Sequence, residues 1–513
     1  MKQNVNIVWF KRDLRLSDHK PMQLCAENNL PIILLYIFEP SLINYGDSDI
    51  RHWRFAYQSL LNMRQTLQKN DSSINILFGE AENIFTELKD NYSIENIFSH
   101  QEIGNRISYD RDKKLKILFK QNNINWIETA TNGISRGLKN RENFATHWHK
   151  VMYEPAFEVN LENLKTIVLE KNILSNYKND ILLTELETTN KTFQPGGENN
   201  AQAYLKSFLY ERKTMYSKHI SKPLLSRKSC SRISPYLAWG NISMKQVYQA
   251  AAISITVTGD KNNIKFFADR LHWHCHFIQK FESECRMEFE NLNKGFDEIR
   301  QTVNEDYLTA WKTGTTGYPL VDACMNCVVA TGYLNFRMRS MLVSFLTHHL
   351  WQPWQAGVHH LAKQFLDYEP GIHYPQFQMQ AGTMGVNTIR TYNPVKQSTE
   401  HDPEGIFIKQ WVAALQNVPS NLIHEPWAMT DIEQEMYNCI IGVDYPNPIV
   451  DLQTAARYAR EHLWATKKSK KVATENVKVL ATHVKKRKAK IVKTEKIKTV
   501  KTKTVQNLEL NFN

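Results

Sequence analysis

Along the first 130 positions the apolar residues fall in short unbroken runs separated by amphipathic stretches. VNIVWF at 5–10, PIILLYIF at 31–38 and shorter runs at 75–78, 96–99 and 124–127 predict five strands, with helical spacing between them over 51–68 and 106–120. Strands that are apolar without alternation are buried on both faces, as in a parallel sheet covered by helices. Residues 1–135 are therefore expected to form a Rossmann-like α/β domain. No GxGxxG or GxxxxGK[ST] loop accompanies these strands, so the common dinucleotide and P-loop readings lose their main support.

Residues 136–200 read as an interdomain connector, because 158–192 is polar and unpatterned and ends in FQPGGE at 193. From 201 to 466 the pattern changes to long segments of helical periodicity, at 201–215, 243–253, 264–281, 318–331, 337–350 and 355–366. The second part is expected to be an all-α domain, with no internal repeat.

Composition changes this picture little: 42% apolar, 11% aromatic and 23% charged residues describe a globular chain rich in rings. Seven scattered cysteines argue against a disulfide framework and for a reducing compartment. With no basic-then-apolar leader and no apolar run of spanning length, a cytoplasmic protein acting as a monomer is expected.

Charge changes it more. The chain carries +12, but the segment 467–513 holds 15 of the 64 Lys and Arg and only 3 of the 52 Asp and Glu. The body before it has 49 of each and is neutral. A segment mixing Lys with Val, Thr and Ala is expected to be largely disordered, either as a solubility tail or as a salt-sensitive attractor of phosphate.

One stretch invites a metal reading. LHWHCHFIQKF at 271–281 sets His272, His274 and His276 around Trp273 and Cys275. On a helix His272 and His276 share a face with Cys275, but a structural zinc usually takes a second ligand pair from a distant segment. Cys324-x-x-Cys327 lies one helical turn apart and reads as packed thiols rather than cluster ligands.

Four segments then fall together. IVWFKRDLRLSDH at 7–19, CSRISPYLAWGNIS at 230–243, WKTGTTGYPLVDACMNCVVATGYLNFRMRSMLVSFL at 311–346 and NPVKQSTEHDPEGIFIKQW at 393–411 resemble, in order and spacing, the motifs of the DNA photolyase and cryptochrome family. The resemblance spans nearly the whole chain before 467. It implies a helical domain that holds FAD, and an antenna chromophore whose identity the sequence leaves open. In such photolyases a pyrimidine dimer in UV-damaged DNA is flipped over the flavin, and excited reduced flavin lends one electron to open the cyclobutane ring.

Carried over position by position, the resemblance implies FAD contacts at Tyr216, Ser231, Ile233, Ser234, Phe267, Arg270, His274, Arg339, Asp367, Glu369 and His373. Ser231 and Ser234 lie where a turn enters a helix and can offer hydroxyl and N–H donors to phosphate. Arg337 and Arg339 fall on an apolar helix, where a guanidinium needs an anionic or flavin partner. An aspartate matching Asp367 pairs with the arginine matching Arg339, and His373 falls where a residue faces flavin N5.

For the lesion the resemblance implies Trp273 as the stacking surface, with Phe336, Arg337 and Met379 around the DNA. Trp273, Arg270 and His373 are the expected catalytic residues, and Trp354 the expected electron relay. This chain departs from the usual pattern at the lesion: Arg270 replaces a glutamate, His274 an arginine, Phe336 an asparagine and Met379 a second tryptophan. Phe377 stands at the proximal electron-transfer position. YLNF lacks the histidine pair of (6-4) enzymes, which argues against that activity. A divergent prokaryotic cyclobutane-dimer photolyase is the expectation; a cryptochrome-type blue-light sensor is the alternative.

Overall fold

The structure is a computed structural model and describes residues 2–485. Five parallel strands, β1 (Gln3–Phe10), β2 (Ile32–Phe38), β3 (Ile74–Phe78), β4 (Tyr92–His100) and β5 (Asn125–Thr129), form a sheet in the order β3-β2-β1-β4-β5. Every residue of β2 is buried, as a strand covered on both faces requires. Chain order reverses between β1 and β4, so the crevice beyond their carboxyl ends is the switch point of the sheet.

The connector is more ordered than its composition suggests. Thr166 pairs with Ile32 beside the sheet, the Asn75 side chain bonds the backbone of Ile167 and Leu169, and helices form over Lys171–Asn176 and Asp180–Glu187. Leu164, Leu169, Ile173 and Leu186 are buried. Single apolar residues in a polar stretch suffice for docking on a sheet that already exists, yet leave no periodic signal.

Five helices of the second part matter for function. They are α1 (Lys261–Ser283), α2 (Phe336–Ser344), α3 (Pro370–Ala381), α4 (Leu452–Lys467) and α5 (Lys470–His483). Caps define them: Asp260 accepts from Asn263 N–H before α1, Asn335 from Met338 N–H before α2, and α3 starts on Pro370 and stops at the left-handed Gly382. The helices expected over 201–215 and 337–350 instead loosen into wide turns at Phe208–Arg212 and Phe345–His349.

The expectation of disorder from 467 onward is corrected for residues 467–485. There α5 buries Val472, Val479 and His483, and the Asn293 amide bonds Val472 O at 3.2 Å and Asn476 Oδ1 at 2.9 Å. Two valines seven residues apart and one histidine make a narrow stripe that a lysine-rich composition hides. Residues 486–513, the rest of that expected tail, lie outside the described residues. Among the described residues no helix is long and apolar enough to cross a membrane.

The opening motif IVWFKRDLRLSDH is a latch between the two parts. Arg15 donates to Gly240 O at 3.0 Å, Leu14 N–H to Trp239 O at 3.1 Å and Asn241 Nδ2 to Leu14 O at 2.9 Å. Asp18 accepts from Ser243 Oγ at 2.5 Å and from Lys245 Nζ at 3.3 Å. Gly240, at φ +68°, lets the chains approach so closely that a Cβ there would sit 2.3 Å from Arg12 O. The 230–243 segment is thereby fixed from below.

Candidate functional site

A cavity of about 460 Å³ opens in the helical part between the 230–234 turn, α1, α2 and α3. It brings together Tyr216, Ser231, Ile233, Ser234, Phe267, Arg270, Trp273, His274, Phe336, Arg337, Arg339, Asp367, Glu369 and Met379. Residues spread over 160 positions thus share one wall because three helices each present one face to it.

The turn at one end is built by arginines the sequence reading passed over. Arg212 donates to Lys228 O at 2.9 Å, Tyr204 O at 3.0 Å and Ser231 O at 3.3 Å, which shapes the loop. Arg232 takes a left-handed backbone at φ +61°, lies 3.7 Å over the Tyr333 ring, and donates to Gln194 Oε1 at 2.7 Å. The helix that follows, Ser234–Ala238, is only five residues long. Its dipole is therefore small, and hydroxyls, backbone N–H groups and the Arg232 guanidinium are the available anion donors. Arg232 itself stands inside the quoted SRIS motif, so that signal was in view.

At the other end Arg339 grips Asp367 with two parallel bonds, Nη1 to Oδ1 and Nη2 to Oδ2, each 2.9 Å. Its Nε donates to Leu334 O at 2.7 Å and its guanidinium covers the Phe365 ring at 4.0 Å. Burial pushes the Asp367 carboxyl up, but the Arg339 charge overrides this and holds it below the ordinary carboxylate range.

Between these ends His274 Nε2 stands 3.1 Å from Glu369 Oε2. The pair is a contact of charges rather than an aligned hydrogen bond, since that oxygen has no partner of good geometry. Burial works against the imidazolium, yet the Glu369 charge raises the His274 pKa to about 10. Arg270 lies 4.5 Å over the Phe266 ring with its Nε unpartnered. Phe336 is 48% exposed, so this edge of the cavity is its mouth.

Buried polar atoms around the cavity lack hydrogen-bond partners among the described residues: Arg232 Nε, Arg270 Nε, His274 Nδ1, Glu369 Oε2, Gln376 Oε1 and Asn387 Oδ1. Donors and acceptors are both present, and aromatic walls lie between them. That mixture fits a ligand with a phosphate end and a flat heteroaromatic end, as FAD has.

Two further residues lie behind the cavity wall. His373 does not line the cavity. From Pro370 the phase of α3 turns Ile372, Gln376, Met379 and Gln380 to the cavity and His373, Tyr374 and Phe377 away from it. The His373 ring bonds Val358 O at 2.8 Å, and burial lowers its pKa to about 4. Trp354 is also off the cavity wall, buried with Nε1 donating to Asn291 Oδ1 at 2.9 Å.

The three histidines of 271–281 part company. His272 packs on Trp148 at 4.9 Å, His274 on Glu369, and His276 on Trp273 at 5.2 Å. A buried trio that sequence spacing did not reveal is Asp13, His19 and His100. Asp13 Oδ2 lies 2.9 Å from His19 Nε2 and 2.7 Å from His100 Nδ1. Because His19 Nδ1 accepts Met22 N–H at 3.2 Å, its proton sits on Nε2 and points at Asp13. The trio is a carboxylate between two neutral donors. It borders a cavity of about 40 Å³ at the sheet's switch point, room enough for water.

Comparison with known proteins agrees with this architecture. Residues 6–135 match the family model described as DNA photolyase, and residues 266–465 the model described as FAD binding domain of DNA photolyase. The chain is 26% identical over 471 residues to a deoxyribodipyrimidine photo-lyase of Alkalihalophilus pseudofirmus, covering 87% of this chain and 95% of that one. It is 25% identical over 480 residues to a cryptochrome DASH of Synechocystis, covering 89% and 97%. The crystal structure of a Synechocystis cryptochrome superposes with a TM-score of 0.80 at 22% identity, over 90% of this chain and 99% of that one. With an FAD-binding domain behind a five-stranded parallel sheet, and relatives matched almost end to end, the chain belongs to the DNA photolyase and cryptochrome family.

Proposed function

We propose that the protein repairs cyclobutane pyrimidine dimers in DNA with light. The observation that carries this reading is the position of Trp273, which lines the same cavity as the Arg339 and Asp367 pair, near a mouth marked by the exposed Phe336 and the half-buried Arg337. A flipped dimer needs such a place: a ring to stack on, cations for its backbone, and a cofactor chamber directly behind.

Ser231, Ser234 and Arg232 would take the phosphates of FAD, with Tyr216, Ile233 and Phe267 beside them. Arg339, Asp367, His274 and Glu369 would hold its ring system. Bound reduced FAD supplies, on excitation, the electron that opens the cyclobutane ring and takes it back afterwards. Trp273 orients the lesion, and Met379 on α3 offers an apolar surface in the same cavity. Arg270 carries only donors, which suits pyrimidine carbonyl oxygens, and its charge favours electron density arriving on them. It performs with a cation what a glutamate does in the usual pattern.

The test is to illuminate the protein, with its flavin reduced, on DNA carrying cyclobutane dimers and to follow loss of lesions on duplex and single strands. Restoration of intact pyrimidines supports the reading. No repair on either substrate overturns it in favour of blue-light sensing, a reading supported by the near-equal identity to a cryptochrome DASH. Repair of (6-4) photoproducts alone reassigns the lesion.

A further inference from the structure

Four nitrogen-bearing side chains lie within electrostatic reach of one another beside Trp273 on the flank of α1, outside the cavity. His276 and Lys280 lie one turn apart on that flank, and His276 contacts the Trp273 ring. Arg141, from the connector, donates Nη2 to His276 O at 3.3 Å, while its Nε and Nη1 have no partner. His483, the last residue of α5, has neither ring nitrogen hydrogen-bonded among the described residues. Arg141 is 5% exposed, Lys280 7% and His483 3%.

Two buried cations and a buried imidazole, His483, with no ion-pair partner among the described residues are costly, and His276 stands half-buried beside them. None of the four makes an ion pair among the described residues. The nearby carboxylates are engaged: Glu282 accepts from Gly137 N–H at 2.9 Å and Gln279 Nε2 at 3.1 Å, and Glu284 binds Arg286 Nε at 2.9 Å. The negative end of α5 also points here, but none of its carbonyls accepts from Arg141 or Lys280. Burial, with the neighbouring cations adding to it, drives the Lys280 pKa down to about 8 and that of His483 to about 3.

We infer that Arg141, His276, Lys280 and His483 form a site for a phosphate-type oxyanion, which bridges α5 to the helix that carries Trp273. Arg141 and Lys280 supply charge, the two imidazoles supply N–H donors, and the ion completes a contact the protein leaves open. The same chemistry could come from free phosphate or from a phosphodiester of DNA lying across the mouth.

The full-length, flavin-loaded protein tests this. Its melting temperature is measured against inorganic phosphate, with ionic strength held constant by chloride. The inference expects a saturable rise, with slower hydrogen exchange over 470–483, and a response at least about tenfold weaker in the Arg141→Gln, Lys280→Gln double variant. Flavin absorbance reports whether that variant folds; if it does not, His483→Phe, which keeps both cations, is expected to weaken the response. Affinity for undamaged duplex DNA separates the sources. Unchanged affinity in the variant assigns a free ion, and a parallel loss assigns a backbone phosphate. Equal phosphate responses in wild type and variant overturn the inference, as does a wild type indifferent to phosphate whose DNA affinity the variant retains.

Discussion

His274 and Glu369 face each other at 3.1 Å inside the cavity, each side chain less than 15% exposed. The raised His274 pKa makes the pair a source of pH-dependent stability. A folded-state value near 10 against an ordinary 6.5 means the contribution is complete below about 6.5 and is lost as pH rises toward 10. His274→Gln leaves Glu369 buried without its cation and should cost roughly 3–5 kcal/mol at neutral pH. The His274→Gln, Glu369→Gln double variant should be more stable than the single one. Thermal melts from pH 6 to 10 check this; parallel curves for wild type and variant would refute it.

Arg339 and Asp367 should be intolerant of near-isosteric change. Lysine cannot make two parallel bonds, cover Phe365 and reach Leu334 O at once, so Arg339→Lys should purify with little FAD. Asp367→Asn leaves Arg339 unneutralised and should behave alike. Since the Asp367 carboxyl is held low by Arg339, its contribution is present above about pH 4 and disappears as pH falls through its lower folded value. Flavin-to-protein absorbance ratios, with flavin release followed during acid titration, are the measurements.

At the mouth, Trp273→Ala should weaken binding of dimer-containing DNA by about 1–3 kcal/mol, roughly 5- to 150-fold, while leaving undamaged DNA nearly unaffected. Trp273→Phe should recover part of the loss. Arg270→Leu removes donors from the lesion and should lower repair per bound dimer more than it lowers affinity. Gel-shift titrations and single-turnover repair, read together, separate the two effects.

How far these residues were legible follows from what each kind of signal encodes. Apolar runs such as PIILLYIF fixed the strands because burial on both faces leaves a local trace. Arg339 was legible as a charge in need of a partner, since its chemistry demands one wherever the helices go, whereas Asp367 as that partner came from the family resemblance. His373 shows the limit of a motif match, which gives a position along the chain, whereas the facing of α3 depends on where Pro370 starts it. Arg212 works through backbone carbonyls, and the Asp13, His19 and His100 trio joins a loop to a distant strand; neither leaves a spacing to read. The helix over 470–483 escaped because two valines among lysines anchor it only on a partner surface.

Trp354 and Trp351 lie three residues apart, and from Trp351 a chain of rings runs outward. The Trp351 ring is 5.1 Å from Tyr458, which is 46% exposed and lies on α4, and Arg300 covers Trp351 at 4.7 Å. With phenylalanine at 377, we propose that electrons for flavin reduction enter through Tyr458, Trp351 and Trp354. A buried arginine beside Trp351 disfavours a positive charge dwelling there, which would hurry the charge on to Tyr458 at the surface. Trp354→Phe should slow light-driven flavin reduction strongly, and Tyr458→Phe should shorten the lifetime of the separated charge. Trp239, packed against Trp53 and Arg12, serves as the control, and Trp239→Phe should leave the rate unchanged. Transient absorption under an external reductant measures all three. A wild-type rate in Trp354→Phe would rule out the route, whereas repair with chemically reduced flavin should proceed normally in every one of these variants.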